Sequence, residues 1–330
     1  MIRKTVLLHV GPHKTGTTAL QRFWQENREH LARNGVLYPG PGDAHHRLAY
    51  DLLGWPTRRF DRAKILAACA AAPENMVILS SEDFSFFNAD QFRRLRDLLH
   101  GSDIRVAYFL RRIPDALHSF WIETIKQGRS ATFAELADGF PANQISGQAY
   151  FDPLMQLRTL EEVFGMDALD VFSYDMIRTS DGDILDAFSD RYFTAKMPAI
   201  GLKKKNVTPS LARVELTRQV NKRQAAPNPG GWNSYGFRML MKRMRERPIP
   251  WFNDFKACVA EEAVPYRFED HALEAISSAV IDLVGDRFVG DRDMAISHYR
   301  SRGGRDYLYV PADARLNRTF GDHLDQLATS

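Results

Sequence analysis

The sequence predicts an α/β fold: a doubly wound parallel sheet flanked by helices, followed by a mostly helical C-terminal portion. Three observations predict it. Short runs of β-branched and apolar residues recur along the first part of the chain, each run stops at a polar turn, and each turn leads into a segment with helical spacing. Such a sheet has right-handed crossovers and binds its ligand at the carboxyl ends of its strands. Functional residues are therefore expected directly after each strand.

Four runs have the composition of buried parallel strands. The first stops at a Gly-Pro pair, and a helix is expected to begin at about Thr17. Its apolar residues, among them Leu20, Phe23 and Leu31, recur at helical spacing. The four predicted strands are Thr5–Val10, Met76–Ser80, Ile104–Leu110 and Leu169–Tyr174.

The character of the chain changes beyond about residue 200, where helical patterns and one turn-rich stretch replace the strands. No internal repeat or long linker is evident, so we expect a single domain over residues 1–330, with the core sheet in about 1–200 and the helical portion in about 201–330. The segment Phe237–Phe255 mixes aromatic, methionine and cationic residues. It indicates either a lid or acceptor platform or, as we prefer, an amphipathic helix that packs its methionines on the core.

Composition excludes several classes of protein. The chain has 330 residues, of which 44% are hydrophobic and 26% charged, which is typical of a globular protein with a sizeable core. Its 44 Lys and Arg nearly balance 41 Asp and Glu, and a net charge of +3 argues against nonspecific nucleic-acid binding. Cys69 and Cys258 fit neither a disulfide framework nor a zinc pattern. Because no signal peptide or spanning segment is evident, we expect a cytoplasmic protein.

The octapeptide 11–18, GPHKTGTT, lies between the first predicted strand and the first predicted helix, which is the context of a phosphate-binding loop. Its glycines let the backbone wrap around an anion, and the amide groups and dipole of the helix start add positive potential. In nucleoside-triphosphate loops the lysine follows the second glycine. Here Thr17 occupies that position and Lys14 lies inside the loop. The pattern disfavours a standard ATP or GTP site and leaves a divergent kinase as an alternative.

With this loop followed by Leu20 and Gln21, the chain resembles the sulfotransferase superfamily, especially bacterial members with a Pro-(His)-Lys-Thr-Gly-Thr-Thr loop. The resemblance implies a P-loop-type fold and 3′-phosphoadenosine 5′-phosphosulfate (PAPS) as co-substrate, with 3′-phosphoadenosine 5′-phosphate (PAP) as product. It also implies that Lys14 is catalytic, since in that family the lysine stabilises the leaving group. The loop residues implied to bind the nucleotide are Gly11, His13, Lys14, Thr15, Gly16, Thr17 and Thr18.

A second anion site is expected where the third predicted strand ends. Arg111 follows that strand, and Ser119 lies eight residues further on. A guanidinium fork and a hydroxyl can converge on one phosphate, and the spacing matches the 3′-phosphate motif of the resembled family. Because Arg112 interrupts the commoner Arg-x-Pro form, both arginines stay candidates, and the spacing to Ser119 favours Arg111.

A third basic element, KKKN at residues 203–206, contains Lys205 and Asn206. It resembles the loop that closes over the nucleotide in related enzymes. A lysine run is also typical of an ordinary solvated loop, so this contact is the weaker expectation.

Two residues are candidates for the base that accepts the proton of the incoming hydroxyl. Sulfuryl transfer needs in-line geometry, charge stabilisation at the leaving oxygen and a base, and in principle no metal. Glu82 follows directly on a buried strand and should face the same crevice as Lys14. His46 is expected in a loop, and imidazole has a suitable pKa. A helix cap and a surface histidine are the respective alternatives; Glu82 ranks slightly ahead.

These observations favour a PAPS-dependent sulfotransferase that acts on a hydroxyl or amine. The acceptor expected from similar bacterial proteins is a carbohydrate or glycolipid, with peripheral membrane contact if it is a lipid. The alternatives are a divergent P-loop small-molecule kinase and a catalytically silent nucleotide-binding regulator. The sequence leaves the acceptor and the oligomeric state open.

Overall fold

A computed structural model gives the fold of the chain as two compact units. The first comprises Met1–Arg112, Gln148–Lys203 and His271–Gly303, and the second comprises Ile113–Gly147, Lys204–Asp270 and Gly304–Ser330. The expectation of a single domain over residues 1–330 stays a prediction. The structure describes residues 4–40, 42, 44–55, 61–139, 152–180, 182–193, 208–224, 235–268, 270–301, 306–312 and 315–329.

A parallel sheet forms the centre of the first unit. Within the described residues it has five strands in the order β2-β3-β1-β4-β5. These strands are β1 (Thr5–His9), β2 (Val36–Leu37), β3 (Met76–Ser80), β4 (Asp103–Leu110) and β5 (Leu169–Ser173). The α/β class and the four strands predicted from sequence are confirmed. The edge strand β2 was missed, because two residues carry no periodicity signal.

Helices cover both faces of this sheet, as a parallel sheet with crossover connections requires. Leu7 of β1 lies in the core layer that contains Trp24 and Phe188. Its neighbours Val6 and Leu8 lie in the opposite layer, because successive side chains of a strand point to opposite faces. The described helices, in chain order, are α1 (Thr17–Glu26), α2 (Arg28–Arg33), α3 (His46–Leu53), α4 (Arg62–Ala71), α5 (Ala89–Leu98), α6 (Ile113–Lys126), α7 (Phe133–Ala137), α8 (Pro153–Phe164), α9 (Tyr174–Thr179), α10 (Ile184–Tyr192), α11 (Leu211–Arg223), α12 (Tyr235–Glu246), α13 (Phe252–Glu262), α14 (Asp270–Val284), α15 (Arg292–Arg300) and α16 (Leu316–Thr329).

The described residues beyond 200 form mostly helices, α11 to α16, which confirms the expected helical C-terminal portion; the second unit is also mostly helical. A short antiparallel pair, β6 (Val264–Tyr266) and β7 (Tyr307–Tyr309), accompanies its helices. The segment Phe237–Phe255 spans most of α12 and the start of α13 instead of one helix. Met241 and Met244 of α12 pack on the core of this unit, as the amphipathic-helix interpretation expects.

None of the helices in the described ranges is long and apolar enough to cross a membrane.

Candidate phosphate-binding and acid-base site

The loop between β1 and α1 has an unusual backbone. Gly11, Lys14 and Gly16 have φ angles of 67°, 69° and 78°, and Lys14 is the one non-glycine residue with a positive φ in the part of the chain that the structure describes. A left-handed conformation is costly for a residue with a Cβ and tends to occur at functional sites. Two contacts hold it here. Arg111 Nη1 donates to the Lys14 carbonyl at 2.7 Å, and Thr15 Oγ1 donates to the Pro12 carbonyl at 2.6 Å.

The loop packs directly against the residues that follow β3. A Cβ atom added to Gly11 would lie 3.1 Å from Glu82 Cα, so a side chain there would meet backbone as well as an unfavourable φ. Helix α1 then begins at Thr17, with Gly16 as N-cap and no side-chain hydrogen bond at the cap. Backbone amides at such a helix start suit an anion. Steric contact and a positive φ thus explain why Gly11 and Gly16 are glycines.

Four ionisable side chains form a network beside this loop. His13 Nδ1 lies 2.5 Å from Glu82 Oε2, and His13 Nε2 lies 3.3 Å from Asp83 Oδ1. The other Asp83 oxygen, Oδ2, lies 2.6 Å from His46 Nδ1. The two candidate bases, Glu82 and His46, therefore meet through Asp83. Sequence reasoning missed Asp83, although a second carboxylate directly after the strand was the available signal.

Glu82 also contacts the threonines of the loop. The Thr17 hydroxyl donates to Glu82 Oε1, and the Thr18 hydroxyl lies 3.5 Å from the same oxygen. His46 was expected in a loop, but it is the first residue of α3. Among the described residues, no three His, Cys, Asp or Glu side chains are arranged to hold a metal ion.

The pairing shifts the pKa values of all four groups. Burial lowers the pKa of His13, but hydrogen bonds to Asp83 and Glu82 outweigh it and raise that pKa to about 9. Burial raises the pKa of Glu82, but the His13 interactions outweigh it and lower that pKa to about 2. Burial likewise opposes the shifts of the other two groups. Hydrogen bonds to His13 and His46 lower the pKa of Asp83, and the hydrogen bond to Asp83 raises the pKa of His46. Both imidazoles thus favour the cation, and both carboxyls favour the anion.

We expect this network to give the stability of the protein a specific pH dependence. The His13 contribution is full below its ordinary pKa of 6.5 and is lost as the pH rises through about 9. The Glu82 contribution is full above its ordinary pKa of 4.5 and is lost as the pH falls through about 2. Urea unfolding from pH 6.5 to 9 should show a decline that His13→Gln reduces and that the exposed control His100→Gln leaves unchanged. An equal decline in all three proteins would contradict the pairing.

Of the two candidate arginines, Arg111 is the one that contacts the loop. Besides its bond to Lys14, its guanidinium carbon lies 5.3 Å from the centre of the Tyr174 ring, and its buried Nε has no hydrogen-bond partner within the described ranges. Arg112 instead uses its side chain on Ser301, to which Nη1 donates at 2.9 Å, and its backbone amide donates to Asp175 at 2.7 Å. An unsatisfied buried donor of this kind calls for an explanation, and a missing ligand is one.

The remaining predicted residues lie elsewhere. Ser119 is in α6, which belongs to the second unit, so its convergence with Arg111 on one phosphate stays a prediction. Lys205 and Asn206 lie outside the described residues.

Nothing matches this chain among protein-family models, curated proteins and solved structures.

Three buried residues around the end of β3, Ser80, His9 and His45, form a hydrogen-bonded cluster next to the site. Ser80, the last residue of β3, is fully buried; its Oγ lies 2.7 Å from His9 Nδ1, and its amide donates to His45 Nδ1 at 3.0 Å. Burial lowers the pKa of His9 to about 3 and that of His45 to about 4, so both rings are neutral at pH 7. The pKa values of the neighbours His45 and His46 therefore shift in opposite directions, and of the two only His46 belongs to the ionic network.

Proposed function

We propose that this chain is a sulfotransferase that moves a sulfuryl group from PAPS to an acceptor hydroxyl. The observation that carries the proposal is the place of Lys14: it lies inside the loop, in a left-handed conformation, with its carbonyl bonded to Arg111. A nucleoside-triphosphate loop has its lysine after the second glycine, where this chain has Thr17. A cation beside the transferred group stabilises charge on the leaving oxygen.

Two features support a donor with phosphates at both ends. The start of α1, with Gly16 at its N-cap, suits the 5′-phosphosulfate. Arg111, directly after β4, suits a 3′-phosphate, because its buried Nε is a donor with no partner among the described residues. A buried unsatisfied donor costs about 1–3 kcal/mol, which a phosphate oxygen would recover on binding.

The proposed step is an in-line displacement at sulfur. The acceptor oxygen forms a bond to sulfur, and the bond from sulfur to the bridging oxygen of PAPS breaks, so that PAP leaves with the electron pair. Lys14 stabilises the charge on that oxygen, and the acceptor proton passes to Glu82, whose low pKa depends on its pairing with His13 and rises when the acceptor hydroxyl replaces that contact. Glu82 ranks ahead of His46 because its carboxylate contacts the loop itself, through Thr17.

One observation favours a second candidate, a divergent P-loop kinase. Thr18 occupies the position of the magnesium-binding hydroxyl of nucleoside-triphosphate loops, and its hydroxyl lies 3.5 Å from Glu82 Oε1. Those enzymes hold magnesium with such a hydroxyl and an acidic residue. The absence of a lysine after Gly16 makes this the weaker candidate.

Nucleotide binding separates the two candidates. Calorimetry with PAP, ATP plus magnesium, and 5′-AMP should give the tightest binding for PAP, by about tenfold or more over 5′-AMP, since only PAP occupies both anion sites. Tightest binding of ATP, dependent on magnesium, would favour the kinase. PAP binding without transfer to any acceptor in a broad panel would favour a silent regulator.

A further inference from the structure

Five rings follow one another at the surface beside the ionic network. We name them the aromatic patch: His13, Phe86, Trp55, Tyr50 and His46. Successive ring centres lie 5.8, 5.8, 5.4 and 6.3 Å apart in that order. His13 and His46, at the two ends of the series, both pair with the Asp83 carboxylate, so the five rings and this carboxylate form a closed chain of contacts.

Local sequence spacing produces this arrangement. His46 and Tyr50 are four residues apart in α3 and so lie on one face of that helix. Gly54 ends the helix with a φ of 73°, and the Trp55 amide then donates to the Tyr50 carbonyl at 2.8 Å, which turns the indole back toward Tyr50. Asp83 and Phe86 are three residues apart in a 3₁₀ helix and therefore share one side.

The patch is accessible, in contrast to the aromatic core of the unit. The Trp55 residue is 41% exposed, and the side chains of His46 and His13 are 34% and 28% exposed. The carboxylates are covered more fully, with Asp83 at 7% and Glu82 at 13%. Ring faces next to a few polar groups are the usual make-up of a small-molecule site.

The ionisable groups of the network are paired with one another. Two imidazoles that favour the cation face two carboxylates that favour the anion, so each group already has an opposite partner inside the network. A charged ligand would have to break one of these ion pairs to gain a partner, whereas an uncharged ligand would not. Tyr50 stays neutral, because burial and the Asp83 carboxylate raise its pKa to about 12.

We infer that the aromatic patch binds the acceptor and that the acceptor is an uncharged compound with a hydroxyl on or beside a ring. The inference rests on the proposed sulfotransferase activity, because only that activity makes the bound compound an acceptor. Binding of the compound can be measured without any transfer. Flat apolar ring faces stack on Trp55 and Phe86, and the hydroxyl reaches the carboxylates beneath. A sugar ring and an aryl ring share this chemistry.

The experiment measures direct binding by calorimetry, first on the chain alone and then with PAP present. Methyl β-glucopyranoside and 2-naphthol represent the two sources of an uncharged ring. Sorbitol has hydroxyls without a ring, and glucosamine and glucuronate add one charge of either sign. We expect at least one uncharged ring compound to bind about tenfold or more tightly than the other three probes.

Variants assign that binding to the patch. Trp55→Ala should weaken it by about tenfold, and Trp55→Phe should retain most of it, since a stacking face remains. Met294→Ala removes an apolar side chain of similar exposure, 45%, from α15 of the same unit and should change nothing. PAP binding should be the same in all four proteins.

Binding as tight for sorbitol or for a charged ring, or unchanged binding in Trp55→Ala, would overturn the inference. If PAP fails to bind while Trp55-dependent ring binding persists, the proposed activity fails and the ring site stands. If PAP binds and the patch takes none of the probes, the acceptor assignment fails and the proposed activity stands.

Discussion

Replacing Lys14 with alanine is expected to reduce sulfuryl transfer by about 10²–10³-fold, the loss typical of removing one group that stabilises developing charge. The fold should survive, because alanine adopts a left-handed conformation at a cost similar to that of lysine and the two backbone contacts of the loop do not use the lysine side chain. Measured transfer rates at saturating PAPS should show the loss mainly in kcat, since the interaction strengthens in the transition state.

Two further variants make this result specific. Lys14→Arg retains a cation and should recover part of the rate. Lys64→Ala removes an exposed lysine from α4 of the same unit and should leave the rate unchanged. Full activity in Lys14→Ala would show that the Lys14 side chain does not stabilise the leaving group, and would contradict its proposed catalytic role.

Replacing Glu82 with glutamine is expected to have two opposite effects. Transfer should fall by about 10²–10⁴-fold, because the proposed base is lost. Binding of PAP should tighten, because without the Glu82 carboxylate two imidazoles that favour the cation face only one carboxylate beside the loop that is proposed to bind the anion. A merely structural role would predict weaker binding and no such opposition, so transfer rates and PAP calorimetry on the same preparation test the assignment.

His46→Gln is the matched comparison, since His46 belongs to the same network but contacts Asp83 and not the loop. It should retain most of the turnover. Full turnover in Glu82→Gln together with loss in His46→Gln would move the base to His46. Weaker PAP binding in Glu82→Gln would contradict this expected effect of the network charge.

The sheet could be predicted because buried parallel strands are continuous apolar runs that stop at polar turns. Met76–Ser80, for example, has the same bounds in the sequence pattern and in the structure. The same topology explains why residues after β3 meet the loop after β1, since β1 and β3 are hydrogen-bonded neighbours. Glu82 was therefore predictable as a neighbour of the loop. The contact of Arg111 with Lys14 was not, because its donor and acceptor are 97 residues apart and no local pattern encodes it.

Ionisation state and ring packing escaped sequence reasoning for a similar reason. His45 and His46 are adjacent in sequence, yet the one is buried against Ser80 and the other faces Asp83. Helix α3 begins between them: His45 is its N-cap, and His46 is its first residue. The aromatic patch likewise depends on the chain reversal at Gly54, which brings Trp55 back onto Tyr50.

The most direct measurement is a crystal structure of the chain with PAP bound. We expect the 5′-phosphate within hydrogen-bond distance of the backbone amides of residues 11–18 and the 3′-phosphate against the guanidinium of Arg111. A nucleotide whose phosphates lie away from both groups would contradict it.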